Sequence, residues 1–285
     1  MSNAERLILV TGATGNQGGA VARHLLQRGF CIRALTRNTE KPAATALARK
    51  GAEIMQGDLN DRASIDRAVD GVYGIFSVQT FWEGGLEAEV QQGKRLADAA
   101  QAAGVQHLVY SSVGSADRQT AIPHFDSKWA IEEHIRAVGL PHTILRPVFF
   151  MQNWGLFSRE AILGGTLAQP LDPDIPLQQI SVDDIGAFAA MAFADPDEWL
   201  GREVELAGDE RTMPEVADLF SRILGRPVHY FQVPWDQFRQ AAGEEMTVMY
   251  EWFNTVGYAV DIAALRRVYP PLADLEHVLR SEQWV

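Results

Sequence analysis

The stretch Thr11-Gly12-Ala13-Thr14-Gly15-Asn16-Gln17-Gly18-Gly19 decides how this chain folds. It follows an apolar run, Leu7–Val10, that predicts a strand buried on both faces, and it leads into residues 17–28, whose apolar positions repeat at helical spacing. The first glycine of the G-x-x-G-x-x-G pattern allows a tight turn, the second lets a pyrophosphate approach the backbone, and the third lets helix and strand pack closely. Because a helix N-terminus presents free N–H groups to phosphate, we predict a dinucleotide site. Its contacts are Gly12, Ala13, Thr14, Gly15, Asn16 and Gln17.

The same alternation of strand and helix continues through the first half of the chain. Further strands are predicted at Cys31–Thr36, Glu53–Gln56, 72–78, His107–Ser111 and 142–145, and helices at 43–50, Arg62–Val69, 87–103 and 128–138. Such alternation predicts a parallel, doubly wound sheet with helices on both faces. The fold class is therefore α/β, with a Rossmann-type domain at its centre.

The pattern loosens after residue 147. Here we predict a helix over 181–194 with Ser181 as its N-cap, a strand at Glu203–Leu206, and helices at Met213–Leu224, Trp235–Ala242 and Ile262–Val268. We interpret this half as a smaller C-terminal α/β lobe for a substrate or a partner. The predicted domains are 1–153, to which segments of about 178–210 return, and 154–285.

Composition and charge exclude several classes of protein. The net charge of −12 opposes binding to nucleic acid, whereas residues 1–50 carry eight basic and two acidic side chains, which suits a small anionic ligand. No apolar run approaches the roughly 18 residues of a membrane span, and we expect a cytoplasmic protein. The histidines show no metal-ligand spacing, so no metal site is predicted. We interpret Cys31, the only cysteine, as a small buried hydrophobe.

Arg37 stands at the end of the second predicted strand, where an NAD site carries an acidic residue for the ribose 2′-hydroxyl. The run Leu35-Thr36-Arg37-Asn38 holds no acid. A guanidinium pairs well with a 2′-phosphate, and Lys41 can add a second positive charge. The sequence therefore predicts NADP(H) rather than NAD(H) as the cofactor; the alternative is a solvated basic loop.

Two more loops follow strand ends on the side of the sheet where open α/β folds bind ligands. Asp58, after the third strand, suits an adenine amino group, and Val78-Gln79-Thr80 follows the fourth strand. We predict cofactor contacts at these four positions, although each alone also fits an ordinary turn.

Taken together, these motifs resemble the NmrA-like branch of the atypical short-chain dehydrogenase/reductases, especially the HSCARG-type redox sensors. The similarity rests on the glycine loop and on Thr36-Arg37-Asn38, Gln56-Gly57-Asp58, His124-Phe125-Asp126-Ser127-Lys128 and Leu145-Arg146-Pro147 through Asn153. The resemblance implies an NADP-binding domain with a small C-terminal lobe. It also carries cofactor contacts onto Lys128, Phe150, Met151, Gln152 and Asn153.

The chain departs from an active short-chain dehydrogenase at one position. Such enzymes need Tyr-x-x-x-Lys, whose tyrosine exchanges a proton with the substrate oxygen. Of the four lysines, none has a tyrosine four residues before it, and His124 holds the place of the tyrosine ahead of Lys128. Lys128, His124 and Ser112 are the candidate catalytic residues, but we favour the interpretation of His124 as a loop residue without a chemical role.

Three hypotheses follow. The first is an NADP(H)-binding sensor with little or no catalysis, whose state a regulatory protein partner detects. The second is an NADPH-dependent reductase of quinones, enones or similar small apolar electrophiles, and the third is an interaction module with a vestigial loop. We expect no direct nucleic-acid or membrane binding and leave a homodimer open.

Overall fold

The computed structural model of the chain describes residues 2–282 and Trp284. Its strands are β1 Leu7–Val10, β2 Cys31–Thr36, β3 Glu53–Gln56, β4 Gly74–Ser77, β5 His107–Ser111, β6 His142–Pro147, β7 Phe149–Phe150, β8 Thr166–Gln169, β9 Pro176–Ile180, β10 Glu203–Leu206, β11 Asp209–Thr212 and β12 His229–Gln232.

The helices alternate with the strands in the first half and dominate the second. They are α1 Asn16–Gln27, α2 Pro42–Arg49, α3 Arg62–Val69, α4 Phe81–Ala102, α5 Pro123–Ala137, α6 Asn153–Phe157, α7 Arg159–Leu163, α8 Val182–Ala194, α9 Pro196–Trp199, α10 Met213–Leu224, α11 Trp235–Ala242, α12 Glu244–Thr255, α13 Ile262–Val268 and α14 Leu275–Ser281. Within the described part of the chain, no helix is both long and apolar enough to cross a membrane.

The chain divides into two compact units. One holds Met1–Asp117, Pro123–Arg146 and Ile185–Val204, and the other holds Arg118–Ile122, Pro147–Asp184 and Glu205–Val285. The domain limits from the sequence, 1–153 and 154–285, stay a prediction.

A seven-stranded sheet in the order β10-β6-β5-β4-β1-β2-β3 organises the first unit. Neighbouring strands from β6 to β3 run parallel. The side chains of Ile8, Leu9 and Val10 in the central strand β1 are fully buried, as expected where helices cover both faces. The predicted α/β fold of Rossmann type is confirmed. Chain order reverses between β1 and β4, and ligands bind beyond the carboxyl ends of strands at such a reversal.

Helices α4 and α5 of the first unit pack closely because α4 has a glycine at the contact. A Cβ placed on Gly93 would lie 2.6 Å from Cδ1 of Ile131 on α5. No larger residue fits there without displacing Ile131. This close approach brings the side chains of the two helices into contact.

The second unit is a smaller mixed α/β arrangement. It contains a sheet in the order β11-β9-β7 and a pair formed by β12 and β8. Helix α10 begins with a capping box between Thr212 and Glu215 and ends at Gly225, whose φ of 65° is left-handed. The smaller C-terminal lobe expected from the sequence is therefore an α/β structure.

Three expectations from the sequence need correction. Cys31 is exposed rather than buried, because it is the first residue of β2, whose buried side chains are Ile32, Ala34, Leu35 and Thr36. Helix α4 has an additional turn from Phe81, ahead of the predicted start at residue 87. Thr80 caps this turn by accepting a hydrogen bond from the backbone N–H of Trp82, and a kink at Gly85 separates it from the predicted helix. Helix α5 begins at Pro123, a residue suited to a first helical turn, so His124 lies in a helix and not in a loop.

Candidate functional site

The glycine loop, residues 11–19, follows β1 into α1, and two of its glycines are required by the fold itself. Gly12 has a φ of +60°, and a Cβ on it would lie 2.9 Å from Cγ1 of Val78. A Cβ on Gly18 would lie only 2.3 Å from the carbonyl oxygen of Gly12. The first glycine therefore makes the turn, and the last lets α1 pack against it.

Gly15 differs from these two, because the protein's own packing does not require a glycine there. Its backbone is extended, with a φ of −100°, and no side chain caps α1 at this residue. A Cβ on Gly15 would meet nothing closer than the carbonyl oxygen of Gly12 at 3.4 Å. The missing Cβ leaves space in front of an uncapped helix N-terminus, which is the setting that binds phosphate in dinucleotide folds.

Hydrogen bonds hold the glycine loop to the neighbouring strand ends. Thr11 Oγ1 donates to the carbonyl oxygen of Phe76 at 3.2 Å and accepts from the backbone N–H of Val78 at 2.9 Å. Ser111 Oγ, at the end of β5, donates to Gln17 Oε1 at 2.6 Å. The loop is thus fixed at the reversal in strand order. The side chain of Ala13 is buried, so only its backbone can face a ligand.

A cleft of about 390 Å³ lies beside the ends of β2 and β3. Its lining residues are Arg37, Gln56, Gly57, Asp58, Asp61, Ser64 and Arg67. The structure therefore brings the predicted Arg37 and Asp58 together. Arg67 is an addition from α3 that the sequence analysis missed, and Lys41, at the N-cap of α2, is not among the lining residues. The cleft combines the guanidinium groups of Arg37 and Arg67 with the carboxylates of Asp58 and Asp61.

Within the cleft, Asp58 is oriented by its own loop. Its backbone N–H donates to Ser64 Oγ at 2.9 Å, and its carboxylate oxygen Oδ1 accepts from the backbone N–H of Asn60 at 2.8 Å. Gln56 Nε2 donates to the carbonyl oxygen of Arg37 at 3.3 Å. These contacts fix the two strand ends against each other.

The guanidinium of Arg37 is paired with a carboxylate. Arg37 Nη2 lies 2.7 Å from Oε2 of Glu83, in the first turn of α4, and the two side chains are 57% and 60% exposed. Ion pairs as exposed as this one contribute about 0.2–1 kcal/mol. Another anion can therefore displace the carboxylate of Glu83 from the guanidinium of Arg37 at little cost in free energy.

The lysine cluster consists of Gln79, Glu89, Ser127 and Lys128. Lys128 Nζ lies 2.8 Å from Glu89 Oε1 and donates to the carbonyl oxygen of Gln79 at 2.7 Å. Ser127 Oγ donates to the other carboxylate oxygen of Glu89. Glu89 is fully buried and Lys128 is 12% exposed. The protein itself thus supplies a buried counter-charge for the lysine, a role for Glu89 that the sequence analysis missed.

The other two candidate catalytic residues are His124 and Ser112. His124 is one helical turn before Lys128 on α5, and its ring stacks on Phe81 at 4.9 Å between ring centroids and contacts Phe125 edge-on at 5.0 Å. Ser112 follows β5, and its hydroxyl oxygen is buried without a hydrogen-bond partner. The Oε1 atom of Gln79, after β4, is also buried without a partner.

Tyr110 on β5 does not replace the missing tyrosine. Its hydroxyl is buried without a hydrogen-bond partner. Burial, and then the carboxylates of Glu89 and Glu132, raise the pKa of Tyr110 well above its usual range. The phenol therefore keeps its proton and is closed to solvent.

The predicted contacts at 150–153 belong to the second unit. Phe150 lies in β7, which pairs with β9, and Met151 is fully buried with its backbone N–H donating to Ile180 at 2.9 Å. Gln152 Oε1 accepts from the backbone N–H of Val182 at 3.0 Å, and Asn153 begins α6. The side chain of Met151 is therefore part of the buried core. Contact between the cofactor and residues 150–153 stays a prediction. Among the described residues, no group of three or more His, Cys, Asp or Glu side chains is placed to hold a metal ion.

The NmrA-like family matches residues 4–277. The chain belongs to the NmrA-like family. The nitrogen metabolite repression protein nmrA of Emericella nidulans is 32% identical over 249 residues, covering 82% of this chain and 70% of that protein. The NmrA-like family domain-containing oxidoreductase hkm9 of Aspergillus hancockii is 32% identical over 264 residues, covering 84% of this chain and 78% of that one.

A solved structure of NmrA, a negative transcriptional regulator, in complex with NADP has a TM-score of 0.81 and 26% identity to this chain, and covers 97% of this chain and 95% of its own. The same regulator has also been solved in complex with NAD, with the same TM-score of 0.81. NmrA-like proteins therefore include a regulator that binds either dinucleotide as well as proteins named oxidoreductases.

Proposed function

We propose that this NmrA-like protein binds NADP(H) in its first unit and acts as a dinucleotide-responsive regulator, whose occupancy changes a surface that a partner protein recognises. The observation that carries the proposal is Gly15. The packing of the protein does not require a glycine at this position, whereas the close approach of a pyrophosphate does. A cytoplasmic location stays a prediction of the sequence.

The residues present fit the dinucleotide. The missing Cβ at Gly15 leaves room at the uncapped start of α1, where the backbone N–H groups of Asn16 and Gln17 suit the pyrophosphate. Asp58 in the neighbouring cleft suits the adenine amino group, and Arg37 suits the 2′-phosphate. When bound in its reduced form, the nicotinamide is a hydride donor.

The lysine cluster supports regulation rather than dehydrogenase chemistry. Lys128 is neutralised by Glu89 and held by the carbonyl oxygen of Gln79. No Tyr-x-x-x-Lys exists in the chain, and His124 packs its ring among phenylalanines. Without that tyrosine, reduction of an ordinary carbonyl lacks the acid that short-chain dehydrogenases use. The name of the relative nmrA agrees with a regulatory function.

A second candidate function is an NADPH-dependent reductase of quinones, enones or similar electrophiles. Ser112 and Gln79 favour it, because they follow the adjacent strands β5 and β4, where open α/β sheets bind ligands, and their buried side-chain oxygens lack a hydrogen-bond partner. An electron-poor acceptor takes a hydride with little help from an acid. The relative hkm9 is named an oxidoreductase.

Cofactor titrations of an Arg37→Ala variant test the proposed dinucleotide site. Since a hydrogen bond to a charged group contributes about 1.5–3 kcal/mol, the variant should bind NADP(H) roughly 10- to 150-fold more weakly and NAD(H) almost as the wild type does. Isothermal titration calorimetry measures both. An equal loss for the two dinucleotides would remove Arg37 from the 2′-phosphate.

Stopped-flow oxidation of NADPH separates the two candidate functions. A regulator should leave NADPH unoxidised across a panel of quinones and enones, whereas a reductase should turn over at least one of them. Turnover that persists unchanged in His124→Ala and Lys128→Ala variants would show that the reaction does not use the assigned residues.

A further inference from the structure

Arg37, the residue proposed to bind the 2′-phosphate, already has an anion on its guanidinium. Its Nη2 donates to Glu83 Oε1 at 2.9 Å and lies 2.7 Å from Oε2, so both oxygens of one carboxylate face the same nitrogen. The two residues are separated by 46 positions in the sequence. A carboxylate from the start of α4 therefore lies where the proposed function requires a phosphate group.

Glu83 lies on a short turn that a kink separates from the rest of α4. Gly85 interrupts the helix with non-helical angles, φ 81° and ψ 176°, directly after this turn. The turn is held at its start by the Thr80 side chain, which accepts from the backbone N–H of Trp82 at 3.4 Å. Because Glu83 is 60% exposed, its side chain is free to turn into solvent when another anion reaches Arg37.

We propose that Glu83 is a specificity-determining residue, an internal competitor that lowers the preference of this site for NADP(H) over NAD(H). The proposal rests on the proposed function, because it takes Arg37 as the partner of the 2′-phosphate. NADP(H) must displace the carboxylate from the guanidinium, whereas NAD(H) leaves the ion pair intact.

The chemistry of NAD recognition strengthens this assignment. In sites that prefer NAD, an acidic side chain at the end of the second strand accepts from the ribose 2′-hydroxyl. Here that strand ends in Arg37, and the acid on its guanidinium comes from another part of the chain. Glu83 thus places a carboxylate of the kind found in NAD sites against an arginine of the kind found in NADP sites, which reduces the preference for NADP(H).

The test is calorimetric titration of NADP⁺ and NAD⁺ into the full chain and four variants. Glu83→Gln removes the charge and keeps the shape. Glu87→Gln, an exposed acid one turn further along α4, makes the same change in net charge and serves as the matched control. Arg37→Ala and the double variant Arg37→Ala/Glu83→Gln show whether the effect passes through the arginine.

Glu83→Gln should strengthen NADP⁺ binding roughly 1.4- to 5-fold, the range expected for an exposed ion pair, and should not strengthen NAD⁺ binding. Glu87→Gln should change neither, and Glu83→Gln should have no effect once Arg37 is gone. Unchanged or weaker NADP⁺ binding in Glu83→Gln would overturn the proposal, as would a gain that persists without Arg37.

The same data separate failure of this proposal from failure of the proposed function. If Arg37→Ala weakens NADP⁺ selectively while Glu83→Gln changes nothing, only the role of Glu83 is wrong. If Arg37→Ala weakens both dinucleotides equally, the 2′-phosphate assignment is wrong, and the inference about Glu83 fails with it.

Discussion

The glycine loop and the lysine cluster both follow strands of the same sheet, yet their polar groups are satisfied in opposite ways. At the glycine loop, Gly15 leaves an empty space in front of an uncapped helix. At the lysine cluster, Lys128 and Glu89 neutralise each other beneath the surface. We propose that the first region receives an outside ligand, whereas the polar groups of the second are satisfied by the protein itself.

Under the proposed function, this contrast separates the residues that bind the dinucleotide from those that would perform dehydrogenase chemistry. A dinucleotide site depends on backbone shape and on a few charges near the surface. A dehydrogenase site depends on a lysine whose charge acts on a tyrosine. Here the backbone shape is present, while Lys128 forms an ion pair with the buried carboxylate of Glu89. We therefore expect variants in the two regions to affect different properties.

Lys128→Met should produce the largest change in stability. It leaves Glu89 buried without its counter-charge, and breaking a buried pair in this way costs about 3–5 kcal/mol. Urea unfolding measures the loss. The double variant Lys128→Met/Glu89→Leu should recover most of it, and Lys50→Met, an exposed control, should change little. A stable Lys128→Met protein that has lost dinucleotide affinity would instead make the lysine mainly a cofactor ligand.

Gly18→Ala should come next, because its Cβ would lie 2.3 Å from the carbonyl oxygen of Gly12. Overpacking of this kind costs about 1–3 kcal/mol, which thermal or urea unfolding detects. The adjacent Gly19 is the control, since a Cβ there meets nothing closer than 3.4 Å. Gly19→Ala should be neutral or gain up to about 1 kcal/mol within the helix. Equal stability of the two variants would contradict the packing role of Gly18.

His124→Ala should have the smallest effect. The variant loses ring contacts with Phe81 and Phe125, which are worth about 0.5–1.5 kcal/mol in the free energy of unfolding. NADP(H) affinity, measured by calorimetry, should stay as in the wild type. A large loss of NADP(H) affinity with unchanged stability would instead show that the His124 ring contacts the dinucleotide. The distinction between the glycine loop and the region around the lysine cluster would then fail.

The sequence predicted much of the first unit because its signals are local. Strands β2 and β3 and helix α3 begin and end where predicted; Asp61, for example, accepts from the backbone N–H of Ala63 and caps α3. The start of α5 was missed because His124-Phe125-Asp126-Ser127 shows no apolar periodicity. The short strands β7, β8, β9, β11 and β12 were missed because long-range pairing, rather than a local pattern, makes them strands.

The partners of the charged site residues were beyond sequence reasoning. Glu83 is 46 residues from Arg37, and Glu89 is 38 residues from Ser127. Both acids lie on α4, and the sequence pattern does not distinguish them from solvent-exposed charges on a helix. Only the tertiary fold shows that one opposes the arginine and that the other is buried against the lysine.

Titration of NADP⁺ into the wild type and into Gly15→Ala tests the central claim most directly. The account predicts saturable binding to the wild type and roughly 5- to 150-fold weaker binding to the variant, because the added Cβ crowds the pyrophosphate. Both proteins should unfold at similar urea concentrations, since the Cβ has room in the free protein. Equal affinity in the two proteins, or no binding to the wild type, would contradict it.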